Sequence, residues 1–333
     1  MGIMVEGKWR ADGAFPSTQG HFVRAQSGFR NWVTRTGEPG PTGDGGFKAE
    51  PGRYHLYISL ACPWAHRTLI FRQLKRLDSA ISLSVVDPFM GEHGWAFTAP
   101  DGTITPGSTP DDLNHAHYLH EIYAKARKDY SGRVTVPVLW DKERRTIVNN
   151  ESAEIIRMFN SAFGQSGDAS LDLYPPALRD EINHINATVY DNVNNGVYKC
   201  GFATTQAAYE EAFDALFRTL GELEARLSHQ RYLAGDRITE AVWRLFTTLV
   251  RFDVVYYVHF KCNLHHIADY PNLWNYAREL YQVPGVAATV NWPRSSATTT
   301  RVTRASIRHE LYRRVRRSIS ALRTIAIASL GER

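Results

Sequence analysis

The chain has 333 residues, of which 43% are hydrophobic, 12% aromatic and 22% charged, which predicts two ordinary globular domains and excludes extensive disorder. The net charge of +5 comes from an arginine-rich end, and because no nucleic-acid-binding motif accompanies it, we expect no nucleic-acid partner. Three widely spaced cysteines argue against a disulfide framework, and the first 30 residues lack an apolar run, so we expect a cytoplasmic protein without signal peptide or membrane segment.

The first predicted elements form a βαβ unit. Residues 1–50 are rich in Gly, Pro and Thr and lack helical periodicity, so we expect an extended arm around the first domain. Residues 53–60 alternate as a strand, residues 63–77 carry apolar side chains at helical spacing, and residues 81–87 are a β-branched run. This order predicts a right-handed crossover between parallel strands.

A hairpin and a helix are predicted after a long insertion at residues 88–130. Residues 134–141 and 146–149 are short apolar runs joined by a charged turn, and a helix over residues 152–159 follows them. The order βαβ then ββα is that of a thioredoxin-like α/β domain, which we place at residues 51–164 with the insertion inside it.

Helical patterns dominate the chain from residue 176 onwards. Residues 207–227 place apolar side chains on one face, and residues 242–257 form a second apolar helix. We therefore predict an all-α C-terminal domain over residues 176–291, joined to the first domain by a short linker. Residues 292–333 form a separate, atypical Arg-rich tail.

Cys62 is the candidate nucleophile. It follows the first predicted strand of the α/β domain and precedes Pro63, a residue favoured at the first helical position, so its sulfur is expected at a helix N-terminus. Backbone N–H groups and the helix dipole stabilise a thiolate there, so we expect a reactive thiol with a lowered pKa. Ala65 replaces the second cysteine of a dithiol motif, which requires a thiol from solution and favours glutathione. A buried structural cysteine is the alternative.

Two further positions fit glutathione binding and also have structural interpretations. The Val136-Pro137 bond lies where thioredoxin-like folds have a cis proline, although an edge-strand proline would give the same sequence. Glu151 and Ser152 open the last predicted helix of the domain, where a hydroxyl and free N–H groups can hold a carboxylate or simply cap the helix.

No metal site is predicted. Cys262, His265 and His266 lie within five residues but lack a convincing fourth ligand, so capping or solvated histidines are the better interpretation. Cys62 and His66 share one helix face, and we assign His66 an electrostatic or structural role.

Four separated motifs carry a family signature. They are Cys62-Pro63-Trp64-Ala65-His66-Arg67, Thr135-Val136-Pro137-Val138-Leu139-Trp140-Asp141, Asn194-Asn195-Gly196-Val197-Tyr198-Lys199, and Arg251-Phe252-Asp253 with His259-Phe260-Lys261-Cys262. Together they resemble the Xi-class glutathione transferases, the glutathionyl-hydroquinone reductases, over roughly residues 5–291.

The resemblance implies a reaction and its residues. Cys62 would attack the sulfur of a glutathionyl-hydroquinone and form a mixed disulfide with glutathione, which free glutathione would resolve to glutathione disulfide. Tyr198 would exchange a proton with the departing hydroquinone oxygen, and Tyr256 would help to lower the thiol pKa, although both tyrosines could instead be core aromatics. The residues that would hold the co-substrate glutathione are Trp95, Arg133, Val134, Thr135, Val136, Glu151 and Ser152. The family also implies a homodimer.

Two other functions remain open. An omega-like or dehydroascorbate-reducing transferase would use the same thiol exchange, and the two tyrosines would discriminate between these activities. A non-catalytic binding module with the glutathione transferase fold is the second alternative, and the alkylation rate of Cys62 would distinguish it from an enzyme.

The sequence departs from the family at two places. Val242 stands where the family has an acidic residue that completes a capping box with Thr239, so we predict that Val242→Asp raises the melting temperature.

After residue 291 the family's basic stretch and paired tyrosines are missing. Codons exist that encode the residues of this chain in one reading frame and those of the family in another. We hypothesise a frame-shifted tail, which the other reading frames of the coding DNA would test. Loss of a family tyrosine from this stretch is expected to reduce activity.

Overall fold

The computed structural model describes residues 2–13, 17–99 and 101–291. The Arg-rich tail and the frame-shift hypothesis lie outside the described residues. Among the helices that are described, none has both the length and the apolar character needed to cross a membrane.

The N-terminal arm consists of two small hairpins and irregular chain. Strands β1 (Ile3–Val5) and β2 (Lys8–Arg10) pair antiparallel, as do β3 (Ser17–Thr18) and β4 (His21–Phe22). Backbone hydrogen bonds attach the arm to the α/β region, from Met4 N to Gly132 O (2.9 Å) and from Asn31 N to Val148 O (3.0 Å). The arm therefore packs along the α/β region, as the turn-rich sequence predicts.

A four-stranded mixed sheet forms the centre of the α/β region. In chain order the strands are β5 (Tyr54–Ile58), β6 (Ile81–Val85), the separate hairpin β7 (Met90–Gly91) with β8 (Gly94–Trp95), β9 (Val138–Asp141) and β10 (Thr146–Asn149). β5 pairs parallel with β6 and antiparallel with β9, which gives the spatial order β10-β9-β5-β6. Every residue of β5 is buried, as expected for a central strand covered on both faces.

Three helices accompany this sheet: α1 (Pro63–Leu74), α2 (Leu119–Ala126) and α3 (Ser152–Ser161). α1 forms the crossover between the parallel strands β5 and β6, and it packs against α3. α2 and the β7–β8 hairpin lie inside the insertion at residues 88–130, for which no element was predicted. β9 begins at Val138, later than predicted, because Pro137 has no N–H to donate to a neighbouring strand.

The remainder of the described chain consists mainly of α-helices and their connections. They are α4 (Arg179–Val189), α5 (Gly196–Phe202), α6 (Gln206–Leu227), α7 (Glu240–Arg251), α8 (Tyr257–His259) and α9 (Pro271–Tyr281). π-helical segments at Tyr190–Asn194 and Phe252–Tyr256 connect α4 to α5 and α7 to α8. The helix predicted over residues 242–257 is therefore interrupted. The predicted fold class, a thioredoxin-like domain followed by an all-α domain, is confirmed.

The two regions share a continuous buried interface, in which α1 packs against α7. Arg67 of α1 is fully buried, and its Nη2 donates to Asn194 Oδ1 (2.6 Å) and to Arg244 O (3.2 Å). Asn194 Nδ2 in turn donates to Thr248 Oγ1 (2.7 Å). Because the two acceptors of Arg67 Nη2 belong to the helical region, this buried side chain of α1 links the two regions.

The N-terminus of α7 lacks a capping box. Thr239 is the N-cap residue, and its buried Oγ1 has no hydrogen-bond partner among the described residues. Val242 occupies the third helical position and is fully buried. The reciprocal bond that an acidic side chain would make from this position is therefore missing.

Val242→Asp should raise the melting temperature, because the new carboxylate can accept hydrogen bonds from the backbone and hydroxyl groups of Thr239. The expected gain is about 0.5–2 kcal/mol in the free energy of unfolding. Val242→Asn is the matched control, since it has the same shape without the charge. An unchanged or lower melting temperature for the aspartate variant, measured by circular dichroism, would contradict the prediction. The free-energy cost of burying the carboxylate would then equal or exceed the stabilisation from the cap.

Candidate active site

A cavity of about 1460 Å³ opens between the arm, the sheet and the helical region. The predicted site residues that line it are Cys62, Trp95, Arg133, Val134, Thr135, Val136, Glu151, Ser152 and Tyr198. The remaining one, Tyr256, is buried next to Tyr198, with 6.2 Å between the two ring centroids. Residues from distant parts of the sequence therefore meet at one cavity.

Cys62 lies at the junction of β5 and α1. It is the N-cap residue of α1, and Pro63 is the first helical residue, as the sequence predicts. The half-buried side chain extends towards the start of β9, where Sγ lies 3.6 Å from Val136 O, just before the cis Val136-Pro137 peptide bond. The sulfur is therefore held between the helix N-terminus and the edge of the cavity.

The electrostatic environment of Cys62 differs from the expectation. Burial raises the pKa of the Cys62 thiol above its ordinary value, while the backbone N–H groups of Ala65 and Trp64 and the guanidinium groups of Arg251 and Arg24 act in the opposite direction. The expectation of a lowered pKa is therefore wrong for the folded chain, because desolvation of the thiolate outweighs the helix N-terminus and the nearby cations.

Arg251, the last residue of α7, supports the turn that precedes Cys62. Its Nη2 donates to Leu60 O (3.1 Å) and its Nε to Ala61 O (3.3 Å), while Nη1 donates to His66 Nδ1 (3.0 Å). Because a guanidinium can only donate, His66 is neutral and uses Nε2–H to reach Thr289 Oγ1 (2.8 Å). Burial, together with the charge of Arg251, lowers the pKa of His66 well below its ordinary value. These contacts favour the structural role predicted for His66.

Tyr198 of α5 lines the same cavity as Cys62 and is part of an aromatic wall. Its neighbours, with ring centroids 5.4 to 6.3 Å away, are Phe260, Phe202, Tyr256, Trp64 and Phe22. Burial raises the pKa of Tyr198, and the charge of Cys62 adds to this effect, whereas Arg24 and the hydrogen-bonded hydroxyl of Tyr256 lower it. The phenol is therefore neutral at physiological pH and can act as a proton donor.

Tyr256 lies in the π-helical segment after α7 and is 2% exposed. Burial raises the pKa of Tyr256 well above its ordinary value, so this phenol is also neutral. Its hydroxyl interacts with that of Tyr198, while the sulfur of Cys62 bonds to Val136 O. The direct effect of Tyr256 on the thiol stays a prediction.

The residues predicted to hold glutathione present complementary polar groups. Glu151 is the N-cap of α3, and its carboxylate accepts from Ala153 N (3.1 Å) and from Ser27 Oγ (3.1 Å). Ser152 Oγ lies 3.5 Å from Arg67 Nη1. Such a carboxylate suits an ammonium group, and the hydroxyl with the adjacent N–H groups of α3 suits a carboxylate.

Arg133 and Trp95 also line the cavity, where Arg133 is half-buried and Trp95 of β8 is 7% exposed. Burial lowers the pKa of Arg133, whose guanidinium Nη1 donates to Gly2 O (3.3 Å). Thr135 is exposed, and its backbone is anchored by Tyr123, whose hydroxyl donates to Thr135 O (2.8 Å). A cation, an indole ring and an exposed residue thus also border the cavity.

The contribution of the arm to the cavity was missed by the sequence analysis. Phe22, Arg24 and Ser27 line it together with residues of the two globular regions. The arm has no periodic pattern from which an orientation can be predicted, so no signal in the sequence assigns these side chains to the site.

The histidines near Cys262 have structural contacts. His266 caps the short helix Ile267–Asp269 and stacks on Tyr257 at 3.7 Å, while Cys262 is fully buried. Within the described ranges, no group of three His, Cys, Asp or Glu residues is arranged to hold a metal ion.

Comparisons with known proteins agree on one family. Models of the N-terminal and C-terminal domains of glutathione S-transferases match residues 61–162 and 206–279. The chain is 56% identical over 294 residues to the glutathionyl-hydroquinone reductase YqjG of Escherichia coli K12, with 88% of each chain covered. It is 51% identical to the glutathionyl-hydroquinone reductase PcpF of Sphingobium chlorophenolicum, covering 87% and 88% of the two chains. A glutathione S-transferase omega-like 2 of Schizosaccharomyces pombe is 46% identical, covering 80% and 83%.

Solved structures give the same result. The glutathione-bound structure of YqjG from Escherichia coli K-12 superposes with a TM-score of 0.83 at 52% identity, covering 91% of this chain and 92% of that one. A Xi-class glutathione transferase from Natrialba magadii has a TM-score of 0.80 at 47% identity, with coverage of 90% and 88%.

Removing the charge of Arg251 should raise the thiol pKa further. We expect Arg251→Gln to move the midpoint of Cys62 alkylation about one pH unit upwards, since one guanidinium that favours the thiolate is lost. Arg251→Lys, which keeps the charge, should move it less. Alkylation rates between pH 6 and 10, read at Cys62 by peptide mass spectrometry on variants that remain folded, test this. Equal midpoints for the glutamine variant and the wild type would contradict it.

Proposed function

The chain belongs to the Xi class of glutathione transferases, the family of the glutathionyl-hydroquinone reductases, and on this premise we propose that it reduces glutathionyl-hydroquinones to hydroquinones with glutathione as co-substrate. The observation that carries the proposal is the position of Cys62, whose sulfur lies at a helix N-terminus and beside a cavity that Tyr198 also lines. A lone thiol in this position can form one mixed disulfide at a time and needs a second thiol to be released.

The first step transfers the glutathionyl group to the enzyme. In the keto tautomer of the substrate, the ring carbon that bears the sulfur also bears a hydrogen. The Cys62 thiolate attacks the glutathionyl sulfur, an S–S bond forms, and the C–S bond breaks. Its electron pair enters the ring and becomes negative charge on the ring oxygen, which Tyr198 protonates. The hydroquinone is reduced and the two sulfur atoms are oxidised.

The second step restores the thiolate. A free glutathione thiolate attacks the glutathionyl sulfur of the mixed disulfide, which releases glutathione disulfide and leaves Cys62 ionised. The proton that this glutathione loses returns to Tyr198 and replaces the one given to the hydroquinone. The positive charges of Arg251 and Arg24 stabilise the thiolate as the leaving group.

Glutathione is held by the polar groups on the two sides of the cavity. Glu151 accepts the ammonium group of the γ-glutamyl part, and Ser152 with the N–H groups of α3 binds its carboxylate. The segment from Arg133 to Val136 pairs with the backbone of the cysteinyl part, and Trp95 packs against the tripeptide. In this division, residues 51–164 bind glutathione and residues 176–291 bind the hydroquinone.

The family resemblance also supports a homodimer in the cytoplasm. Cys62, Cys200 and Cys262 are free thiols, which suits a reducing compartment. Size-exclusion chromatography with light scattering measures the oligomeric state directly, and a monomer at micromolar concentration would contradict this part of the proposal.

A second candidate is an omega-like transferase that reduces dehydroascorbate. The observation that favours it is the relative in Schizosaccharomyces pombe with an omega-like name. Both activities need Cys62, but only the hydroquinone reaction needs a phenol to protonate the ring oxygen of a departing hydroquinone. Tyr198 therefore separates the two candidates.

Hydroquinone release should depend on Cys62. With excess glutathione, the wild type should release hydroquinone from a glutathionyl-hydroquinone, and Cys62→Ser should reduce the rate by at least about 1000-fold, because the nucleophile is lost. Chromatography of the product and intact mass of the enzyme test both steps. Glutathionylated Cys62 without hydroquinone release would contradict the proposed substrate, and an unreactive thiol would favour the binding module.

Tyr198→Phe should slow hydroquinone release by about 100-fold, because general acid catalysis at the ring oxygen of the departing hydroquinone is removed. The rate of glutathionylation of Cys62 by glutathione disulfide should change little, since this exchange releases no hydroquinone and forms no ring oxyanion. Tyr209→Phe, a phenol elsewhere on the cavity wall, is the matched control. An equal loss in both reactions would show that Tyr198 acts on the thiol instead.

A further inference from the structure

Arg24 of the arm lies inside an aromatic cluster beside the reacting groups. Its guanidinium carbon is 4.6 Å from the ring centroid of Trp64, 4.7 Å from that of Tyr198 and 5.3 Å from that of Phe22. Faces of aromatic rings attract a cation, so these contacts hold the positive charge in place. All four side chains line the cavity.

The hydrogen bonds of Arg24 leave part of its guanidinium unused. Nε donates to Asn195 Oδ1 at 2.5 Å, but Nη2 is shielded from solvent and has no acceptor among the described residues. A buried donor without an acceptor is unfavourable unless a ligand supplies one. The described part of the chain therefore leaves this donor without an acceptor, in a side chain that belongs to the cavity wall.

Arg24 also differs in its charge balance from two other arginines of the cavity wall. Arg30 pairs with the carboxylate of Glu154, and Arg157 pairs with that of Glu240 (2.8 Å). Within the described ranges, Arg24 has no carboxylate partner. The positive charge next to Tyr198 is thus not neutralised by the protein, which suits an anion that forms during the reaction.

We propose that Arg24 binds the ring oxygen of the departing hydroquinone and stabilises the negative charge that develops on it when the C–S bond breaks. The inference rests on the proposed function and deepens it, because it assigns the oxyanion to a residue of the arm. Tyr198 supplies the proton, and Arg24 supplies the charge. The substrates that benefit most are hydroquinones of low acidity, whose oxyanions are the least stable.

The electrostatic effects at the site are consistent with this role. The charge of Arg24 acts to lower the pKa of Tyr198 and that of Cys62, so it reaches both the proton donor and the nucleophile. A cation that favours phenolate at Tyr198 also favours phenolate on a ring bound against the same aromatic wall.

The test compares glutathionyl-hydroquinones of increasing acidity, from methyl-substituted to chlorinated rings, with the wild type, Arg24→Gln and Arg24→Lys. Arg24→Gln should lower kcat/KM by about 100-fold for the methylated substrate, as for the loss of one oxyanion donor. The loss should be clearly smaller, about 10-fold, for the chlorinated substrate, whose oxyanion needs less stabilisation. Arg24→Lys should recover part of the activity. Arg35→Gln, an exposed arginine of the same arm, is the control and should behave as the wild type.

The outcomes separate this inference from the proposed function. Cys62-dependent release by the wild type establishes the reaction, and its absence would overturn both. With an active wild type, a loss of the same size on every substrate would overturn the inference, because the whole effect would then come from the Cys62 thiolate, which Arg24 also stabilises. Unchanged rates in Arg24→Gln would overturn it as well. Circular dichroism and glutathione affinity of each variant report on folding and on the co-substrate site.

Discussion

The contact between Arg251 and the carbonyl oxygens of Leu60 and Ala61 joins the helical region to the turn that carries Cys62. These carbonyl groups belong to the end of the β5 connection, where neither a sheet nor a helix supplies a donor. The guanidinium comes from the last residue of α7, which directly precedes the π-helical segment that carries Tyr256. One buried side chain therefore sets the position of Cys62 relative to the phenol of Tyr256. The geometry of the site depends on this contact.

The burial of the Arg251 guanidinium beside Cys62 affects the pKa values of both groups. Burial lowers the pKa of Arg251, and charges at Tyr256 and Cys62 act in the opposite direction. Burial also raises the pKa of the Cys62 thiol, so an isolated thiolate and an isolated guanidinium are each unfavourable at this site. An ion pair between the thiolate and its nearby cations offsets part of both penalties. The nearby cations therefore reduce the cost of ionising Cys62 without removing it, which agrees with the raised pKa of the thiol.

The arm completes the cavity from a direction that neither globular region provides. Its backbone is attached to the α/β region through bonds such as Asn31 N to Val148 O, and its Arg24 contacts the helical region through Asn195. Besides the bonds within its own hairpins, the arm bonds through its backbone to both regions, where Phe29 O accepts from Asn150 N (3.2 Å) and Gly20 O accepts from Thr204 N (3.0 Å). This explains how a loop-like sequence provides a fixed cation at the reaction centre.

The sequence by itself determined the elements whose signals are local. Pro63 after Cys62, the alternation around β5 and the apolar face of α6 predict a cysteine at a helix N-terminus within a thioredoxin-like domain and a helical domain after it. The family motifs added the chemistry. Only the tertiary structure decided the raised pKa of the thiol, the support from Arg251 and the position of Arg24, because desolvation and unpaired charge depend on groups that are far apart in the sequence and meet only when the chain is folded.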